Sequence, residues 1–290
     1  MKRALLVFFA VISCQITYGQ GKAVLDNEKL LEYYQTQKYI DAAQYLKSIY
    51  AEDTQDEKEI SQLAYANMMA GKLPEAEKNY LKLHDKQPQN LPVLFSLANI
   101  NLRRGNDEKA KAYYMDILKI DSTNFTVYKQ LANLNKGEMN LAKIGYLEKA
   151  NEINPIDPDV VFDLCELYFK MNFFDKASNI LQPALDADST NLQLLKMKMP
   201  ISMASKKYDE AIKTGEKLLS YGDSSTFVLN NLGKSYFFNL DYKNALKHFL
   251  VIESKSMDSE EIHLVPALRA GSDAGHGARL LRAVPGRQGR

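Results

Sequence analysis

The residues able to do chemistry are few in this 290-residue chain, and their spacing keeps them apart. The four histidines, His84, His248, His263 and His276, fall in unrelated contexts, with no H-E-x-x-H pair and no cysteine beside them. A zinc site needs three or four such ligands converging on one point, so these read as surface histidines. Gly71-Lys72 lacks the upstream glycine of a phosphate-cradling loop; Ala66 stands in its place. The stretch DADSTN, Asp186–Asn191, begins like a calcium loop. Its twelfth position is Met197, where a bidentate glutamate should close the coordination shell. A turn ending in a helix cap explains it better. Carboxylates are plentiful, but no pair converges in the pattern. The reading is of no catalytic residues, no metal ligands and no cofactor: a protein that binds rather than catalyses.

Composition narrows what it could bind. The 37 basic and 36 acidic residues leave a formal charge of +1, which gives no electrostatic footprint for nucleic acid or an anionic membrane surface. The start, MKRALLVFFAVISCQITYGQ, has the charges of Lys2 and Arg3 and then an apolar run from Ala4 to Ile12. That run is too short to span a bilayer, which takes roughly 20 apolar residues, and it has the dimensions of a secretory leader. Thr17 and Gly19 place small residues before a cut ahead of Gln20, so residues 1–19 are expected to be a signal peptide. The alternative is Val11-Ile12-Ser13-Cys14, which resembles the lipobox of bacterial lipoproteins and would make Cys14 the lipidated N-terminus. The body is therefore expected to be exported, periplasmic or secreted, or else a membrane-anchored lipoprotein. Either way Cys165 is the other cysteine, and it can close no internal disulfide.

The elements that position everything else come from self-similarity. DSTN occurs at Asp121–Asn124 and again at Asp188–Asn191. Laid out on a unit of 34 residues, with one unit of 33, alanine recurs at the twentieth slot: Ala42, Ala76, Ala110, Ala177, Ala211 and Ala245, interrupted by Lys143. Slot 8 is mostly small (Leu30, Ala64, Ala98, Ala132, Cys165, Met199, Gly233), and slot 24 mostly large (Leu46, Tyr80, Tyr114, Leu147, Leu181, Gly215, Phe249). Small residues let two helices approach closely, and large ones fill the next gap. Cys165 falls in the small slot and reads as a buried packing thiol. In NDEKAKAYYMDILKID, Ala110, Tyr113, Tyr114, Ile117 and Leu118 form one helical stripe. Gly71 and Gly105 fall in turns, Pro74 suits a first helical turn, and Asn90, Asn124 and Asn191 suit helix caps.

This pattern resembles the tetratricopeptide repeat (TPR) family, a helix–turn–helix of 34 residues. LNNLGKSYFFNLDYKNALKHF matches its signature best, through Leu232-Gly233, Tyr236, Tyr242, Ala245 and Phe249. Seven units follow: 23–56, 57–90, 91–124, 125–157, 158–191, 192–225 and 226–259. The resemblance implies an all-α fold, a right-handed α-solenoid of paired A and B helices. It also implies that slots 2, 5, 9, 12 and 13 of each A helix line a concave groove for a partner protein or peptide. Those slots hold Tyr65, Met68, Met69, Phe95, Asn99, Arg103, Lys129, Asn133, Phe162, Glu166, Phe169, Lys170, Lys234, Phe237 and Phe238. For slot-12 residues such as Phe169 and Phe237 the competing role is packing between A helices. TPR domains that clamp a C-terminal carboxylate use five polar positions. Lys129 and Asn133 satisfy the first two, but Asp163, Gln193 and Met197 occupy the others, so that clamp is not expected.

Three irregularities complete the reading. Pro183 and Pro200 fall inside helices, where the lost N–H and ring clash cost about 3 kcal/mol, and predict a kink between units five and six. From about Leu264 the register collapses, and 5 of the 8 arginines fall between Arg269 and Arg290. Residues 260–290 therefore read as the start of a broken eighth repeat followed by out-of-frame or foreign sequence. The apolar face of the last B helix, with Leu246, Phe249 and Leu250, would then lack its polar cap, favouring self-association. The functional expectation is a non-catalytic protein–protein scaffold or adaptor of the bacterial cell envelope. The alternatives are a lipid-anchored part of an envelope assembly complex, or the repeat portion of a larger enzyme or sensor.

Overall fold

The computed structural model describes residues 24–137 and 140–255, and the N-terminal segment expected to be a signal peptide and the arginine-rich tail lie outside that range. The described residues form fourteen α-helices in antiparallel pairs and fall into two compact units, which divide after Ile120. The first unit holds α1 (Asn27–Gln35), α2 (Tyr39–Ile49), α3 (Glu57–Met69), α4 (Leu73–Lys86), α5 (Leu91–Arg103) and α6 (Asp107–Ile120). The second holds α7 (Phe125–Leu134), α8 (Leu141–Ile153), α9 (Pro158–Lys170), α10 (Phe174–Ala187), α11 (Leu192–Ala204), α12 (Tyr208–Ser220), α13 (Thr226–Phe238) and α14 (Tyr242–Lys255). Odd-numbered helices are the A helices and even-numbered ones the B helices, so each pair occupies one period, of 33 residues for α7 and α8 and of 34 for the others.

Most A helices begin at a side-chain cap, as do the B helices α8, at Asn140, and α14, at Asp241, while Ser225 before α13 makes no such bond. Asp26, Asp56, Asn90, Asn124, Asp157 and Asn191 each accept a backbone N–H of the following A helix through their side chains. Such caps satisfy donors that have no partner inside the helix, each worth about 1 kcal/mol. The DSTN stretches supply two of them: Asp121 and Asp188 bind the N–H and hydroxyl of Thr123 and Thr190, and the asparagine behind starts the helix. This turn is what the calcium-like stretch at Asp186 builds. The B helices α2, α4, α10 and α12 start at Lys38, Lys72, Phe173 and Lys207 with no side-chain cap.

What fixes the B helices is the residue before them. Gln37, Gly71, Gly105, Asn172, Lys206 and Leu240 occupy one equivalent slot, all with φ between 57° and 75°. The left-handed conformation costs a non-glycine residue roughly 1–2 kcal/mol. The turn therefore demands this geometry whether or not the sequence supplies glycine.

The core repeats with the helices. Leu30, Ala42, Leu46, Ile60, Ala64, Ala76, Tyr80, Leu97 and Ile100 are buried in the first unit. In the second, Leu131, Leu147, Leu164, Cys165, Leu181, Met199, Leu218, Leu232 and Phe249 are buried. Met199 and Gly215, which both depart from the small–large rule, compensate each other, as a comparison with the next repeat shows. Gly233 leaves room for the Phe249 ring, whose atoms stand 2.8–3.2 Å from where a Cβ would lie. One repeat earlier the sizes are exchanged: the Met199 methyl stands 2.7 Å from the site of a Cβ on Gly215. α10 and α11 run unbroken through Pro183 and Pro200.

Tyrosine–carboxylate pairs tie neighbouring repeats within the second unit. The Tyr168 hydroxyl donates to Glu148 of α8, and the Tyr236 hydroxyl donates to Glu216 of α12 at 2.5 Å. Burial, and then the neighbouring carboxylate, holds both phenols well above their ordinary pKa, so they remain donors.

Candidate partner-binding faces of the A helices

In the first unit the sequence-designated residues lie on α3 and α5. Tyr65 is 41% exposed and Met69 36%, whereas Met68 packs partly against the core. Tyr34 of α1 meets the Tyr65 ring edge-on at 5.5 Å, and its phenol is pushed up to about 12 by burial and then by Tyr65. Phe95 is half-buried against Tyr114 at 6.4 Å. Asn99 and Arg103 are exposed, and the Arg103 guanidinium donates to the Met68 carbonyl at 2.9 Å, bridging α5 to the end of α3. Tyr34, and Leu31 at 54% exposure, extend this surface. They hold slots 12 and 9 of the first repeat, so the same slot rule that marks α3 and α5 would have found them.

In the second unit Lys129, Asn133 and Phe162 come together. They share a cleft of about 280 Å³ with Leu147, Asp159, Val160, Asp163 and Gln193. Lys129 is held by two carboxylates, Asp157 at 3.1 Å and Asp159 at 3.2 Å, and lies over the Phe125 ring at 5.5 Å. Burial works to lower its pKa, and the bonds and charges of Asp157 and Asp159 outweigh that and raise it. Lys143 stands 3.8 Å from Asp163. The sequence signal for the acidic side of this cleft was present, because Asp159 holds slot 2 of its repeat.

The remaining designated residues separate. Glu166 and Lys170 pair with each other along α9 at 3.0 Å. Phe169 is half-buried beside Phe174 at 5.5 Å, and Lys234 is half-buried. Phe238 is 41% exposed and stacks on Tyr208. Phe237 must be withdrawn from the partner face. It is 3% exposed, between Leu229 of its own helix and Ala245, Phe249 and Ile252 of α14, whereas Tyr34, Met68 and Phe169 in the same slot are half-buried.

The chemical candidates resolve in the same way. Cys165 is fully buried, its thiol donates to the Ala177 carbonyl at 3.3 Å, and burial pushes its pKa up to about 12. A thiolate is the reactive form, so this group is inert in the folded state. Two histidines are not the surface residues expected from sequence: His84 meets Tyr113 edge-on, and His248 stacks on Tyr236 at 5.6 Å. Both are half-buried ring-packing residues. His263, His276 and Cys14 lie outside the described residues. Among the described residues no three His, Cys, Asp or Glu side chains converge on a point, and no helix is long and apolar enough to cross a membrane.

Paired helices of one period, the same buried slots and the same turn geometry define an all-α helical repeat protein. Residues 140–198, from the start of α8 into α11, match the family model described as tetratricopeptide repeat. The described residues have the all-α helical-repeat fold of tetratricopeptide repeat proteins. Solved structures share the fold. The C-terminal part of a TPR repeat-containing protein from Cytophaga hutchinsonii aligns with a TM-score of 0.63 at 15% identity, over 82% of this chain and 98% of that one. YrrB, described as a TPR protein with an unusual peptide-binding site, aligns with a TM-score of 0.55 at 20% identity, over 67% and 97%. A chain of the Naa15/Naa10 complex bound to HypK-THB aligns with a TM-score of 0.55 at 13% identity, over 84% of this chain and 38% of that one. No curated protein matches the sequence.

Proposed function

We propose that the protein is a non-catalytic scaffold that holds a segment of another protein against the exposed faces of its A helices. The observation that carries this reading is the side-chain set on those faces. Tyr65, Met69 and Phe238 stay exposed on helices whose opposite sides are fully used in packing. Aromatic, methionine and arginine side chains are the residues enriched at protein interfaces. YrrB, which shares the fold, is described as having a peptide-binding site, and that description agrees with the reading. The export of the body, with residues 1–19 as leader, belongs to the same proposal and rests on the sequence of that segment. The lipobox-like Val11–Cys14 supports membrane anchoring through Cys14 as the second reading.

The test is capture from an envelope fraction with the chain as bait, repeated with Tyr65→Ala, Met69→Ala and Phe238→Ala. Each should weaken capture of the same partner by ~1–3 kcal/mol and leave the melting temperature nearly unchanged. Capture undiminished in all three variants would refute the assignment of these faces. Intact-mass measurement of exported material, starting at Gln20 or at a lipidated Cys14, tests the localisation. An unprocessed chain beginning at Met1 refutes it.

A further inference from the structure

We infer that the cleft between α7, α9 and α11 receives a basic side chain, an arginine or lysine flanked by an apolar residue, from an extended segment of another protein. This rests on the scaffold reading and gives it a ligand chemistry.

Size comes first. The cleft's 280 Å³ lies just below the roughly 300–1,000 Å³ of small-ligand pockets, so it holds one long side chain rather than a whole organic molecule. Buried Leu147 and Val160 close its floor, and the half-buried Phe162 supplies the open apolar surface, which suits the methylene stem of lysine or arginine. Its rim carries Asp159 and Asp163, with side chains 77% and 38% exposed. Asn133 and Gln193 add amide oxygens that can accept further N–H bonds.

The charge balance decides the sign. Lys129 is already committed to Asp157 and Asp159, and Lys143 stands 3.8 Å from Asp163. Three carboxylates thus face two ammonium groups, leaving negative charge in excess. The cations further along α11 cannot reverse this, because Lys196 is bound to Asp223 at 2.6 Å and Lys198 to Glu210 at 2.8 Å. An acidic segment or a free C-terminal carboxylate would meet Asp159 and Asp163 first.

The probe is a set of blocked twelve-residue peptides on one Leu/Ser frame, carrying Arg, Gln or Glu at two central positions and followed by fluorescence anisotropy. The Arg frame should bind at least about tenfold more tightly than the Glu frame at low salt, and the gap should narrow as ionic strength rises. The double variant Asp159→Asn/Asp163→Asn should bring the frames to within about twofold, and Asp159→Lys/Asp163→Lys should reverse the order. A Glu preference in the parent chain, an Arg preference that survives the Asn variant, or no binding of any frame overturns the inference. The scaffold reading stands or falls separately, by the capture experiment with Tyr65, Met69 and Phe238.

Discussion

Replacing Gly233 by alanine isolates the contact on which the last repeat turns. Alanine in place of a mid-helix glycine should stabilise α13 by about 0.5–1 kcal/mol through backbone entropy alone. Here the new Cβ would lie 2.8 Å from Phe249 Cε1 and 2.9 Å from Cζ, inside van der Waals contact. The ring cannot yield easily, since Phe249 is 3% exposed and enclosed by Leu229, Phe237, Ala245 and Ile252. Overpacking of this kind costs about 1–3 kcal/mol, so the net expectation is a loss of about 1 kcal/mol. Gly215→Ala is the matched control. Its Cβ would meet the ends of Met199 and Leu232 at 2.7 and 2.8 Å, and a methionine methyl moves aside cheaply. That variant should be within about 0.5 kcal/mol of the parent, because propensity and crowding nearly cancel. Urea unfolding followed by circular dichroism gives both values. A second cycle adds Phe249→Leu, which removes the clashing ring atoms. The double variant with Gly233→Ala should then cost less than the two single changes added together. A Gly233→Ala variant as stable as the parent, or strict additivity in the cycle, would refute the close-approach argument.

Three further outcomes are expected. Leu240, 66% exposed with φ of 66°, should become glycine with a gain of about 0.5–1 kcal/mol, read as a higher urea midpoint; a loss would mean that its side chain matters more than its backbone. In a chain beginning at Gln20, Cys165 should react with a thiol reagent only as fast as the protein opens, and rapid labelling of the native state would contradict its burial. Burial first, and then Lys247, hold the His248 pKa below its ordinary 6.5, with Glu216 opposing. Its stabilising contribution is thus present above pH 6.5 and lost as pH falls through the lower folded-state value, so the melting temperature should drop between pH 7.5 and 5. His248→Phe should flatten that fall, and an unchanged slope would exclude the histidine as its source.

Much of this architecture can be read before any coordinates, for a physical reason. Each repeat must bury the same face, so Ala42, Ala76 and Ala110 mark the phase without needing a strong local signature. The caps at Asn90, Asn124 and Asn191 are equally plain, because few side chains can take a helix's first free N–H. Of the six left-handed turns described before B helices, only those at Gly71 and Gly105 are visible in the sequence. At Gln37, Lys206 and Leu240 the two packed helices impose the conformation against local preference, and Asn172 tolerates it. The faces were half legible. A slot rule places Phe237 beside Phe238, but only the packed neighbour tells which ring is buried. Lys129 reads as a free cation until Asp157 and Asp159 are seen to hold it.

The exchange of bulk between Met199–Gly215 and Gly233–Phe249 bears on how such an array can change its repeat order. In each case the two complementary residues sit on the A and B helices of the same hairpin. A crossover between repeats moves both partners together and preserves their fit. A crossover inside the hairpin turn would join the A helix of one to the B helix of the other. It would set methionine against phenylalanine in one product and leave two glycines facing a void in the other. The heritable module is therefore the complete hairpin, and duplications or losses along this lineage should have their joints in the loops that precede A helices.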